Sequence, residues 1–220
     1  MKIYSIKGPQ GMTDYYVGIN QIEINPDEVR INDLVELIEN IQELHKDTVL
    51  QFFNEKHILN IEHILHACYF VQKAFHINAN ISNKKNLEFF LYLAGKRQIK
   101  ISLEDFGLIE NNLRNKRISY CIITPKNNFN QIQMEINKRL NFKELDINFE
   151  DLSEEKYKII KEYFGFSDDQ VLVILKSYGI NEVQVYPNQV SLQSLFKALN
   201  DLICEKMVLL SLEKRSSYNS

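Results

Sequence analysis

The chain has 220 residues, 45% apolar and 25% charged, with 26 basic residues against 29 acidic ones and a formal net charge of -3. That size supports one sizeable core, and the slightly negative balance excludes a diffuse pull on nucleic acid, so any such contact has to come from a local basic patch. Three cysteines, Cys68, Cys121 and Cys204, are distant and odd in number, which argues against a disulfide framework or a paired-cysteine zinc motif and for a reducing compartment.

The opening run MKIYSIKG is too short for the apolar core of a signal peptide, and no stretch approaches the roughly 20 apolar residues of a membrane span. A soluble, cytoplasmic protein is expected. Ile3 to Ile6 alternates with polar residues and stops at Gly8-Pro9, predicting a first strand, whereas the segment through Gly18 gives no clear pattern. Leu34, Leu37, Ile38, Ile41 and Leu44 recur at helical spacing and predict an amphipathic helix over about Ile31 to His45. TVLQFF, Thr48 to Phe53, reads as a strand, followed by a turn or short helix around Lys56. From about Asn60 the apolar positions Ile61, Ile64, Leu65, Cys68, Tyr69, Val71 and Phe75 cover most of a helix circumference, predicting a central helix.

A third helix is predicted from about Asn83 to Ala94 and a fourth from Ile99 to Phe106, with Gly95 and Gly107 each expected as a left-handed C-cap. RISYCIIT, Arg117 to Thr124, is the clearest strand, and Pro125 ends it before a helix over about Asn130 to Leu140. Helical patterns follow at Glu154 to Phe164 and Asp168 to Lys176, then a short strand at Glu182 to Tyr186 and a long helix from Leu192 to about Lys214. The sum is an α+β fold: a single helix-rich domain over residues 1–220 with a small, mainly antiparallel sheet flanked by helices.

Chemistry-bearing groupings are sparse. His63, His66 and Cys68 lie close on one helix and invite a metal reading, yet Cys68 is about 100° round the helix from its sequence neighbours, and no His-Glu-x-x-His pattern completes a site. No nucleophile elbow, phosphate-binding glycine loop or dinucleotide fingerprint occurs, which favours a binding or scaffold role. Adjacent acidic pairs such as Glu104-Asp105 read as solvated faces. Lys96 and Arg97, directly after Gly95, suit the negative end of a helix dipole; together with Lys84, Lys85 and Lys100 they also make a local positive surface able to contact phosphate.

The spacing His63-Ile-Leu-x-Ala67, then Ala74-Phe75, then NKKNLEFFLYLAGKRQIKISLEDFGL from Asn83 to Leu108 resembles the family of the small kinase-binding subunit of the KEOPS complex, whose eukaryotic members are called PRPK-binding proteins. Glu88, the run Leu91 to Gly95, the triplet Arg97-Gln98-Ile99 and Gly107 with its following apolar residue carry the likeness. His66 and Leu103-Glu104 depart from the usual small residues there, and residues 174–189 read as an insertion.

The resemblance implies a non-catalytic subunit without cofactor or metal. Such a subunit binds the small kinase-like ATPase of the complex, associates only indirectly with the catalytic KEOPS subunit, and helps recruit tRNA by its acceptor 3′ end for threonylcarbamoylation of adenosine beside the anticodon. Under it, Lys84, Lys85, Lys96 and Arg97 are the expected tRNA contacts. Met207 and Leu210, taken as apolar positions left over on the last helix after the core is filled, are the expected kinase contacts. The competing reading is a small metal-dependent enzyme using His63, His66 and Cys68.

Overall fold

The computed structural model describes residues 1–8, 11–180 and 190–216. The sheet is assembled on a nine-residue strand, β2 (Tyr15–Glu23), which pairs antiparallel along one edge with β4 (Arg117–Thr124). Its other edge takes β1 (Lys2–Ile6) against Tyr15 to Ile19, and then the short β5 (Lys143–Leu145) against Gln21 to Glu23. β3 (Val49–Phe53) adds to the far side of β4, giving the order β1-β2-β4-β3 with β5 beside β2, every pairing antiparallel.

Side chains alternate between the two faces of this sheet, and both faces are covered. One face presents Val17, Ile19, Val49, Phe53, Cys121 and Ile123 to a core shared with α2 (Ile61–His76), α3 (Lys85–Ala94), α4 (Ile99–Phe106), α7 (Glu154–Phe164), α8 (Asp168–Ser177) and α9 (Leu192–Ser216). The other presents Ile22, Leu50, Phe52, Ile118, Tyr120 and Ile122 to α1 (Ile31–Leu44), the short α5 (Glu110–Leu113) and α6 (Phe129–Leu140). Burial on both sides is why RISYCIIT reads as a continuous apolar run instead of an alternating one.

The predicted helices at Ile31, Asn60, Asn83, Ile99, Asn130, Glu154, Asp168 and Leu192 are all present, as are the strands at Lys2, Val49 and Arg117. The expected strand Glu182 to Tyr186 lies outside the described residues, as do 181–189 of the expected insertion; its first residues, Ile174 to Ser177, complete α8. β2 is the principal element the sequence hides. Gly18 breaks its apolar pattern because a Cβ there would lie 2.6 Å from the Phe129 ring of α6 and 2.8 Å from Met1 Sδ. Asn20 and Gln21 are fully buried, Asn20 Nδ2 donating to the Tyr120 hydroxyl at 3.0 Å and the Asn148 amide donating to Gln21 Oε1 at 2.7 Å.

Gly95 behaves as predicted: φ is 59°, and the Lys96 amide reaches back to the Leu91 carbonyl at 3.1 Å, closing α3. Gly107 does not. Its φ of -72° is open to any residue, and what requires glycine is space, since a Cβ would sit 2.4 Å from the Leu103 carbonyl oxygen.

Candidate functional site

A cluster of interacting polar groups lies where α3 hands over to α4. Lys96, just past the Gly95 turn, directs Nζ to Asp105 Oδ2 on α4 at 3.0 Å, and the same ammonium stands 4.3 Å from the centre of the Tyr163 ring on α7. The Tyr163 hydroxyl donates to Asp105 Oδ2 at 2.7 Å, and the other residue of this cluster, His57, stacks on the Tyr163 ring at 4.0 Å. Burial pushes the Asp105 carboxyl upward, but the Tyr163 hydroxyl and the Lys96 ammonium outweigh it and hold the group below its ordinary range. Burial, with Lys56 nearby, lowers His57 to about 4, so its ring is neutral at physiological pH. Asp105 is therefore no simple solvated acid, and Lys96 is a part-buried clamp between three elements.

The four cations expected to meet tRNA do not form one patch. Lys84 and Lys85 stand at the N-terminal end of α3 and Lys96 and Arg97 beyond its C-terminal end, separated by the helix's ten residues, about 15 Å of rise. Lys85 is half buried, its Nζ donating to Gln72 Oε1 at 3.0 Å and lying 5.6 Å from the Phe75 ring centre; burial lowers its pKa. Lys84 and Arg97 are exposed. Lys100, in the first turn of α4, pairs loosely with Glu104 at 3.9 Å. Sequence spacing places all five near one another; the length of α3 and the long-range partners of Lys85 and Lys96 divide them.

Met207 and Leu210 need correcting as a surface. They are 0% and 4% exposed, packed into the core, and the outward apolar positions of α9 are Val208, Leu209 and Leu212. A helix apolar on several sides does not reveal which stripe its neighbours take, and here the stripe through Leu199, Ile203, Met207 and Leu210 is the one buried.

The metal reading fails on geometry. His63 is wholly buried, and both ring nitrogens are committed: the Leu59 amide donates to Nδ1 at 3.2 Å, so Nε2 carries the hydrogen and donates to the Leu93 carbonyl at 3.0 Å. Burial lowers its pKa to about 4, the Leu93 carbonyl partly opposing the shift. Cys68 is buried against Cys121 on β4, which with desolvation raises its thiol pKa well above the ordinary value. His66 is lowered by burial against the pull of Glu62 and Asp201. Among the described residues no three His, Cys, Asp or Glu side chains are grouped to hold a metal ion. His63 instead ties the approach to α2 onto the end of α3.

Glu88 has a similar task. It is buried, and its carboxylate accepts from the Ile81 amide at 3.0 Å and the Ser82 amide at 2.6 Å, pinning the loop before α3 to that helix. Helix α3 is thus held at each end by a buried polar side chain, Glu88 in its first turn and His63 against Leu93.

A second surface feature lies at the β3 edge, between α1 and α4. It is a groove of about 400 Å³ floored by Leu34, Ile38, Phe52 and Phe90, with Val35, Leu103 and Ile109 on its rims.

A family model described as kinase binding protein CGI-121 matches residues 29–211. The chain belongs to the CGI-121 family. No curated protein matches it. The matched span takes in every helix wall just described, so both the Lys96 clamp and the α1–α4 groove are features of a kinase-binding protein of the CGI-121 family. No described helix of this family member is long and apolar enough to cross a membrane.

Proposed function

We infer that this chain is the non-catalytic, kinase-binding subunit of a cytoplasmic KEOPS assembly, folded as one domain. In that role it helps recruit tRNA by the acceptor 3′ end for threonylcarbamoylation of adenosine next to the anticodon. The observation that carries the reading is the CGI-121 match over residues 29–211, a span that includes Asn83 to Leu108, the segment whose residues resemble the KEOPS subunit. Association with the catalytic KEOPS subunit is indirect, through the kinase-like ATPase.

For tRNA, the exposed Lys84 and Arg97 are the phosphate contacts, at opposite ends of α3, while Lys85 and Lys96 position those ends through Gln72 and Asp105. Arg97 is the stronger of the two because its guanidinium can grip a phosphate in bidentate fashion.

Immobilised kinase-like ATPase should retain the chain at micromolar concentration, and no retention would overturn the kinase reading. In a separate titration with tRNA, Arg97→Glu should weaken binding and lower the slope of log K against log salt by about one, as loss of one phosphate contact requires. Unchanged affinity and slope would end the role of Arg97 as a phosphate contact.

A further inference from the structure

Tyr163 on α7 touches both partners of the Lys96–Asp105 pair. Its hydroxyl donates to Asp105 Oδ2 at 2.7 Å, the oxygen that also accepts from Lys96 Nζ at 3.0 Å, and its ring centre lies 4.3 Å from the same ammonium. The ring is itself held in place: His57 stacks on it with the two planes 18° apart, and Phe106 and Phe164 meet it edge-on at 5.6 Å and 4.8 Å. Burial and the Asp105 carboxylate both raise the Tyr163 pKa, so the hydroxyl keeps its proton and remains a donor at neutral pH.

What these contacts hold is the turn between α3 and α4. Backbone hydrogen bonds secure its two ends, the Lys96 amide donating to the Leu91 carbonyl at 3.1 Å and the Ser102 amide to the Gln98 carbonyl at 3.0 Å. Arg97 lies between those ends and is exposed. One residue before it, the Lys96 side chain ties the turn to α4 through Asp105 and to α7 through Tyr163. A turn ordered in advance loses little freedom when a ligand arrives, so the cost of ordering it does not weaken binding. The side chain that completes the tie lies 58 residues beyond Asp105, on a helix that supplies none of the expected tRNA contacts.

The geometry points to Tyr163 as a positioning residue for Arg97: its hydroxyl orients Asp105, Asp105 holds Lys96, and Lys96 fixes the turn from which the Arg97 guanidinium grips phosphate. This rests on the reading of Arg97 as a phosphate contact given above. Tyr163 itself touches no tRNA, and its effect on binding passes through Arg97 alone. Lys84, at the other end of α3, is independent of it.

The test is a double-mutant cycle on tRNA affinity, measured across a salt series with the full chain, Tyr163→Phe, Arg97→Ala, Lys84→Ala and the pairs Tyr163→Phe/Arg97→Ala and Tyr163→Phe/Lys84→Ala. Phenylalanine keeps the ring against His57 and Lys96 and removes only the hydroxyl, and thermal melting checks that each variant folds. Tyr163→Phe should weaken binding by about threefold to tenfold when Arg97 is present and by less than about twofold when it is alanine. It should also lower the slope of log K against log salt toward the Arg97→Ala value, which a small loss of stability in a folded chain does not do. With Lys84→Ala the effects should add. Asp105→Asn, which leaves Tyr163 an acceptor but Lys96 no charge, should show the same dependence on Arg97 and serves as the second variant. If the unaltered chain does not bind tRNA, or Arg97→Ala binds as the unaltered chain does, the phosphate-contact reading itself falls. If Arg97→Ala weakens binding while Tyr163→Phe and Asp105→Asn bind unchanged, or weaken it equally with and without Arg97, the positioning role alone is overturned.

Discussion

Replacing His63 by leucine removes a side chain that bridges two backbone groups in a site with no solvent access. The Leu59 amide and the Leu93 carbonyl would each lose a partner, and a buried backbone group left without one costs about 1–3 kcal/mol. Leucine fills a comparable volume, so little cavity cost is added, and the loss at pH 7.5 should be about 2–5 kcal/mol. At roughly 2–4 °C per kcal/mol for a chain of this size, the melting temperature should fall by about 5–15 °C. Acid provides an internal control. In the unfolded chain the imidazole takes a proton near its ordinary 6.5, whereas the folded site resists protonation down to about 4. Its contribution is therefore intact above pH 6.5 and is lost as pH falls toward 4. At about 1.36 kcal/mol per pH unit, the native protein gives up roughly 2 kcal/mol from this residue by pH 5, a term the leucine variant lacks. Urea unfolding of both proteins at pH 7.5 and pH 5 reads the two gaps. The gap should narrow by about 2 kcal/mol on acidification. A gap below about 1 kcal/mol at pH 7.5, or one that stays constant or widens at pH 5, would refute the bridging role.

Met207→Ala should cost about 2–5 kcal/mol by opening a cavity in the core, while Leu209→Ala two positions along should change stability by less than about 0.5 kcal/mol; equal effects in denaturant unfolding would contradict the assignment of the buried stripe. Gly107→Ala should destabilise through its 2.4 Å approach to the Leu103 carbonyl despite an unremarkable φ, and a neutral result by thermal melting would mean that the turn relaxes without cost. Lys96→Met should keep the stem's packing on Tyr163 but lose the Asp105 pair, costing stability by no more than about 1 kcal/mol because the pair is partly exposed. It should also weaken tRNA binding less than Arg97→Glu does, and the reverse order in a filter-binding assay would return Lys96 to direct phosphate contact.

Helices were readable where they bury one stripe or end on a local stop signal such as Gly95. Leu34, Leu37, Ile38 and Ile41 mark the inner face of α1 without ambiguity, and all four are buried. β2 was not readable, because a central strand covered on both faces neither alternates nor runs apolar when Gly18, Asn20 and Gln21 serve particular neighbours: the Phe129 ring, the Tyr120 hydroxyl and the Asn148 amide. The site divides in the same way. Gly95 closing α3 follows from local chemistry, but the partner of Lys96 is nine residues away and its aromatic neighbour Tyr163 lies on α7, so spacing alone left Lys96 looking like an outward cation. The α1–α4 groove is formed by elements far apart in sequence and had no local signature. On α9, apolar residues on more than one side concealed that Met207 points inward and Leu209 outward.

The central claim is that this chain acts through the kinase and performs no catalysis itself. ATP hydrolysis measured for the purified kinase-like ATPase, for this chain, and for their mixture across a titration tests it most directly. The account predicts no turnover by the chain alone and a rate for the mixture that rises above the kinase alone and saturates at one chain per kinase. Hydrolysis by the chain alone, or a kinase rate that its presence leaves unchanged, would contradict it.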